Sequence, residues 1–160
     1  MKKIFLYSLL FTFLFACTKD KKYEYEVDPV NISGNGGDKN TQKTTSEFIS
    51  IAYADVFGVQ IPQSRLVNLS IAYSSFGDEK VIEDRIIRNF LNDSTAIVPD
   101  SLVVNGDTSA FISKAYKKFY NREPSEFEVY TWKSTIRQDA SITPLIVYYT
   151  LMTSDEYRFY

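Results

Sequence analysis

From Phe48 onward the chain places apolar residues every three or four positions, the spacing that gathers them on one face of an α-helix. Phe48, Ile51, Ala52, Val56 and Phe57 make the first run, with Ser46 or Thr45 placed to cap its start. After Pro62 a second run presents Leu66, Leu69 and Tyr73. Asp78 is placed to cap a third, whose stripe is Ile82, Ile86, Ile87, Phe90 and Leu91, with Arg85 and Arg88 outside it. Asn92 to Asp107, containing Pro99 and Asn105-Gly106, predicts a break in which Leu102-Val103-Val104 packs as short extended chain. The plan then returns: Thr108 or Ser109 caps a helix carrying Phe111, Ile112, Ala115, Tyr116 and Phe119. Ser125-Glu126-Phe127-Glu128 is a capping box, and the helix it opens shows Phe127, Tyr130 and Trp132 as apolar residues before stopping near Gln138. Thr143-Pro144 opens the next, because proline suits a first helical turn, with Leu145, Val147, Tyr148, Leu151 and Met152 following. Ser154 caps a closing turn through Tyr157 to Tyr160.

The two halves resemble each other residue by residue. Phe48-Ile49-Ser50-Ile51-Ala52-Tyr53 matches Phe111-Ile112-Ser113-Lys114-Ala115-Tyr116 at five of six positions, 63 residues apart. Pro62 answers Pro124 at 62, and Leu91 and Ser94 answer Leu151 and Ser154 at 60. Small gaps in loops account for the drift. The expected fold is all-α: two related three-helix units, 44–98 and 109–160, joined by a connector, 99–108. Each unit is small for a core of its own, so the two are expected to pack as one six- or seven-helix body.

What precedes Phe48 has a different character. Met1-Lys2-Lys3 is followed by a mostly apolar run from Ile4 to Phe15, too short for the roughly 20 residues that cross a bilayer core. This is the pattern of a signal peptide, residues 1–16. Leu14-Phe15-Ala16-Cys17 resembles a lipobox, which makes Cys17, the sole cysteine, the expected lipid acceptor. Two or three acyl chains then anchor firmly where one would not. Residues 17–43, polar and interrupted by Pro29, Gly34, Gly36 and Gly37, read as a flexible tether with a reach of about 28 Å. Within it Tyr23-Glu24-Tyr25-Glu26-Val27 alternates with period two, as a solvated stalk or an edge strand for a partner's sheet.

Composition narrows the chemistry. Loss of Lys2 and Lys3 takes the net charge from −2 to −4, the wrong sign for nucleic acid. The chain has no histidine, which removes Ser-His-Asp and Cys-His catalysis and the usual zinc and copper ligands. Asp28 to Asp38 lacks the alternating oxygens and closing Glu of an EF-hand loop and reads as linker. No cofactor, metal or catalytic residue is expected. An enzyme would have to rely on carboxylates such as Glu126 or Glu128.

Tyr116, Asn121-Arg122-Glu123-Pro124, Trp132 eight residues after the proline, and Ser154-Asp155-Glu156-Tyr157 together resemble the signature of a bacterial helical domain family of unknown function. That family shows a tyrosine, a Gly-Arg-x-Pro turn, a tryptophan at this spacing and a closing Ser-x-Glu-Tyr. The resemblance covers about 47 residues and implies an all-helical module of exported or surface proteins, without catalytic residues. Asn121 stands in place of the usual glycine, and Glu128 where a second glycine is often found. Val56-Phe57-Gly58 and the distal Ser154 to Arg158 are also similar to phycobilisome linker domains, which are scaffolds. The lysine- and tyrosine-rich chain as a whole resembles lipoproteins of the Bacteroidota.

Candidate surfaces follow from the aromatic density of the C-terminal third. Most of those rings are expected to pack; Trp132, Tyr149, Phe159 and Tyr160 are the candidates for a partner-binding face, the last two because a chain end is seldom fully buried. Lys114, Lys117, Lys118 and Arg122 share a helical face that reads as solvated, or as a contact for anionic headgroups or an acidic partner. Arg122 is expected to bond helix-end carbonyls. The expected function is that of a lipid-anchored, non-enzymatic accessory subunit of an envelope complex around an outer-membrane protein. The alternative is a ligand-binding lipoprotein offering an aromatic groove to glycan or peptide. In the Bacteroidota lipoproteins that the chain resembles, surface export tends to follow an acidic run just after the cysteine, so the mostly basic Thr18 to Lys22 implies, by that resemblance, the outer membrane's periplasmic face rather than the cell surface.

Overall fold

Residues 41–101 and 106–159 are described by the structure, a computed structural model. The signal peptide, Cys17, nearly all of the tether, Leu102-Val103-Val104 and Tyr160 lie outside the described residues. The described part is all-α: helices α1 (Thr45–Phe57), α2 (Gln63–Ser74), α3 (Glu79–Leu91), α4 (Thr108–Tyr120), α5 (Glu126–Gln138) and α6 (Pro144–Met152), closed by a 3-10 turn, Asp155–Arg158.

The helix starts show how local chemistry sets the boundaries. Thr44, in extended conformation, accepts from Glu47 N through its hydroxyl while its own N–H donates to Glu47 Oε2 at 2.8 Å, a full capping box. Ser125 and Glu128 repeat the arrangement at α5. Asp78, Asp107 and Thr143 cap α3, α4 and α6 with the first half of this arrangement, each side chain accepting from the N–H three residues on. Two expected caps therefore move by a residue or two: α1 begins from Thr44 rather than Thr45 or Ser46, and α4 from Asp107 rather than Thr108 or Ser109. The cap must stand three residues before the N–H it accepts from, and Asp107 Oδ1 takes that of Ala110 at 2.9 Å.

At the other end of α1 and α4 the chain turns through the left-handed region. Gly58 has φ 69° and Asn121 φ 54°, and their N–H groups close onto Ala54 O and Lys117 O. Asn121 thus keeps the conformation that glycine would supply; Asn tolerates it best among the other residues.

The repeat is visible in burial. Phe48, Ile49, Ala52, Tyr53, Val56 and Phe57 are buried in α1, and the residues 63 further on, Phe111, Ile112, Ala115, Tyr116, Phe119 and Tyr120, are buried in α4. For the third helices the register that superposes buried positions is 61, pairing Ile86 with Val147, Ile87 with Tyr148, Phe90 with Leu151 and Leu91 with Met152. Matching Leu91 to Leu151 by identity is therefore one residue out, because burial fixes the helix phase and a single shared leucine does not.

Within each copy the first helix packs on the second and third, or α4 on α5 and α6, and the copies meet where α3 lies against α6. One apolar cluster runs through both. Each fully buried Phe, Ile, Leu or Met contributes about 1.5–3 kcal/mol. The second helices contribute least: α2 buries only Tyr73, and α5 buries no residue completely. Among the described residues there is no strand, only an isolated antiparallel bridge between Gln42 and Phe159.

Candidate functional site

Residues from α4, α5 and the closing turn of the second copy gather around Arg122. Its Nε and Nη2 donate to both oxygens of Glu156 at 2.7 and 2.8 Å, and its Nη1 and Nη2 to both oxygens of Glu128 at 2.9 and 2.7 Å. The guanidinium also lies over the rings of Tyr116 (5.1 Å) and Tyr120 (5.5 Å). Trp132 Nε1 donates to Tyr116 Oη at 3.1 Å, and Tyr120 Oη pairs with Ser154 Oγ at 2.7 Å. The expected role for Arg122, bonding helix-end carbonyls, gives way: its one carbonyl partner is Glu123 O, beside it in the turn, and carboxylates take the rest. A planar guanidinium matches a carboxylate bidentately, which a single carbonyl oxygen cannot do. Bonded this way, Arg122 is held above its usual range by Glu156 and then Glu128, and Glu128 is pulled down to about 2 chiefly by Arg122.

The closing turn joins both copies. Tyr157 is fully buried, its ring edge-on to Phe48 of the first copy and to Phe119 of the second, each at 6.0 Å. Its hydroxyl donates to Asp55 Oδ2 at 2.6 Å, and burial raises both its phenol and the Asp55 carboxyl. Arg158 reaches back to Glu79 and Glu83 on α3, each at 3.0 Å. Glu83 is the one buried charged residue among those described; Tyr73 Oη donates to it at 2.7 Å, and burial raises its carboxyl. Lys43, at the end of the tether, lies over the Tyr157 ring at 4.2 Å while its N–H donates to Arg158 O.

These contacts place three of the four candidate partner residues. Trp132 is half-buried against the core and bonded to Tyr116. Tyr149 is half-buried in the α3–α6 seam, its hydroxyl donating to Asp84, with the Arg88 guanidinium over its ring at 4.5 Å. Phe159 is half-buried and paired with Gln42, and Tyr160 lies outside the described residues. The three described rings each have contacts within the fold. The basic face is divided likewise: Lys117 pairs with Glu123, and Lys118, lowered by burial, lies over Phe119 and Tyr148.

The most exposed rings among the described residues are elsewhere, on α5. Phe127 is 76% exposed and Tyr130 70% exposed, although the residue pattern assigned both to the apolar side of that helix. The side of α5 that packs is Val129, Trp132 and Ile136. That i, i+3, i+7 series stands in the sequence and sets the phase; reading Phe127 and Tyr130 as the stripe placed it on the opposite side. Beside Tyr130 runs a groove of about 430 Å³, lined by Pro124, Glu126, Val129, Lys133, Ser134 and Arg137. On the equivalent helix of the first copy, Val67 and Ile71 are exposed instead, with Val67 in the position of Tyr130.

Fold and surface define a tandem three-helix module with an uncovered aromatic outer helix. No family model, curated protein or solved structure matches the chain. No group of carboxylates or thiols that could hold a metal ion occurs among the described residues, and none of their helices is long and apolar enough to cross a membrane.

Proposed function

We propose that this chain is a lipid-anchored, non-enzymatic interaction subunit of a bacterial cell-envelope complex, held by acyl chains on Cys17 at the periplasmic face of the outer membrane. The observation that carries the reading is the exposure of Phe127 and Tyr130, one turn apart on α5 and outside the apolar core. Aromatic side chains with large rigid surfaces are enriched where proteins meet and depleted where they face water alone. The anchor is supported by Leu14-Phe15-Ala16-Cys17, and a lipid tether confines the module near envelope partners, raising their effective concentration.

Gentle solubilisation of membranes followed by purification through the chain tests the reading. A stoichiometric envelope protein is expected to accompany it, and Cys17→Ala is expected to leave the membrane fraction and to lose labelled palmitate. A chain that purifies alone and shifts on a glycan array would replace the reading with ligand capture; membrane retention and unchanged labelling of Cys17→Ala would remove the anchor.

A further inference from the structure

We infer that the partner seated on α5 presents an acidic segment carrying a bulky apolar side chain, an inference that rests on the interaction-subunit reading above. The groove has an apolar part, made by Pro124, Val129 and the ring of Tyr130, and a cationic part, made by Lys133 and Arg137 one turn apart. Neither cation has an ion pair among the described residues; of the other described arginines, Arg65, Arg88, Arg122 and Arg158 have one and Arg85 does not. In a chain of net charge −2 these are local positive charges without a counterion, and they attract carboxylates. Glu126, near the start of α5, repels them there and so directs the partner's acidic residues toward the far end.

The volume, about 430 Å³, suits one or two side chains of leucine or phenylalanine size. The neutral hydrogen-bonding side chains that line the groove are Ser134 and Tyr130, whereas a sugar would call for many placed donors and acceptors. A peptide with one apolar anchor and flanking carboxylates therefore matches the lining better than a glycan. Phe127, next along the exposed side, extends the apolar contact.

The test uses the full chain in detergent micelles and a fluorescein-labelled peptide holding a Leu-Phe pair between two glutamates on each side. Binding read by anisotropy is expected to weaken at least about tenfold in the double variant Lys133→Glu, Arg137→Glu and in Tyr130→Ala, and to weaken as salt is raised. Their melting temperatures should stay that of wild type, since these side chains are outside the core. Peptides with lysine for glutamate, or with alanine for the Leu-Phe pair, are expected to bind at least about tenfold more weakly. Equal binding of the variants, equal binding of the lysine peptide, or no binding of the acidic peptide to wild type would overturn the inference. So would concentration-dependent self-association abolished by the same variants, which would make the occupant a second copy. The copurification experiment, repeated with the double variant, separates the two readings: a partner retained equally by both leaves the subunit reading standing and removes the acidic-segment inference, while a partner absent from wild type removes the subunit reading.

Discussion

Both copies lay a guanidinium over the same two rings, but they take it from different places in the chain. In the second copy Arg122, in the turn after α4, covers Tyr116 and Tyr120. In the first, Arg65 on α2 covers Tyr53 and Phe57, the equivalent rings, at 5.1 and 5.7 Å. Position by position, Val59 stands opposite Arg122 and Arg65 opposite Glu128. Each arginine also reaches an acid that follows the third helix of its copy, but with unequal grip. Arg122 has four bonds to two carboxylates, its side chain 29% exposed; Arg65 has one 3.9 Å approach to Asp93, its side chain 43% exposed. In both copies a cation covers the aromatic end of the first helix, and the fold takes it from either neighbouring segment. Only the second copy turns that cation into a clamp, because only there do carboxylates stand on both sides.

The largest loss should come from the residue the copies share. Tyr157→Ala removes a fully buried ring packed between Phe48 and Phe119 and leaves Asp55 without its hydroxyl partner, so about 3–5 kcal/mol should be lost in a denaturant titration. Both copies should unfold together; two separate transitions would show that the turn does not couple them.

Arg122→Ala should cost about 1–2 kcal/mol, because two partly buried carboxylates are left facing each other without a cation. Acid should have a related effect. The Glu128 carboxyl is lowered from its usual 4.5 to about 2 in the folded chain, so its stabilisation is complete above about pH 4.5 and is lost as pH falls toward 2. Glu128→Gln should start less stable at pH 7 and lose less than wild type across that window. Parallel acid curves would place the clamp's contribution elsewhere.

Gly58→Ala should cost about 1 kcal/mol, since φ is 69° and the added Cβ would meet Ile97 Cδ1 at 3.2 Å. Asn121→Gly, at the equivalent turn, should stay within about 0.5 kcal/mol of wild type, because glycine adopts the same backbone and Asn121 already tolerates it. The smallest effect is expected for Arg65→Ala, about 0.5 kcal/mol or less, as for other exposed cation–ring contacts. A loss equal to that of Arg122→Ala would erase the difference between the copies.

Much of the fold was legible from local pattern. Thr143-Pro144 and the Ser125 to Glu128 box stood at true helix starts, and Asn121 stood where a left-handed residue was required, because caps and turns are settled by atoms within a few residues. The surface was less legible. Tyr149 looked available from the aromatic density of the C-terminal third and Phe159 from its place near the chain end, but their partners, Asp84 and Gln42, are distant in sequence. Phe127 and Tyr130 looked buried because hydrophobic character alone does not say which of two apolar sides of a helix meets the core.

The sequence by itself therefore determined the helices, most of their caps to the residue and the resemblance of the two halves, since hydrogen bonds over three or four residues and a 3.6-residue period are local properties. The tertiary structure alone decided that Tyr157 would lie between the copies, that Arg122 would hold Glu128 and Glu156, and that α5 would keep two rings in water. Those outcomes depend on which distant groups arrive within a few ångströms of one another, and spacing along the chain does not specify that.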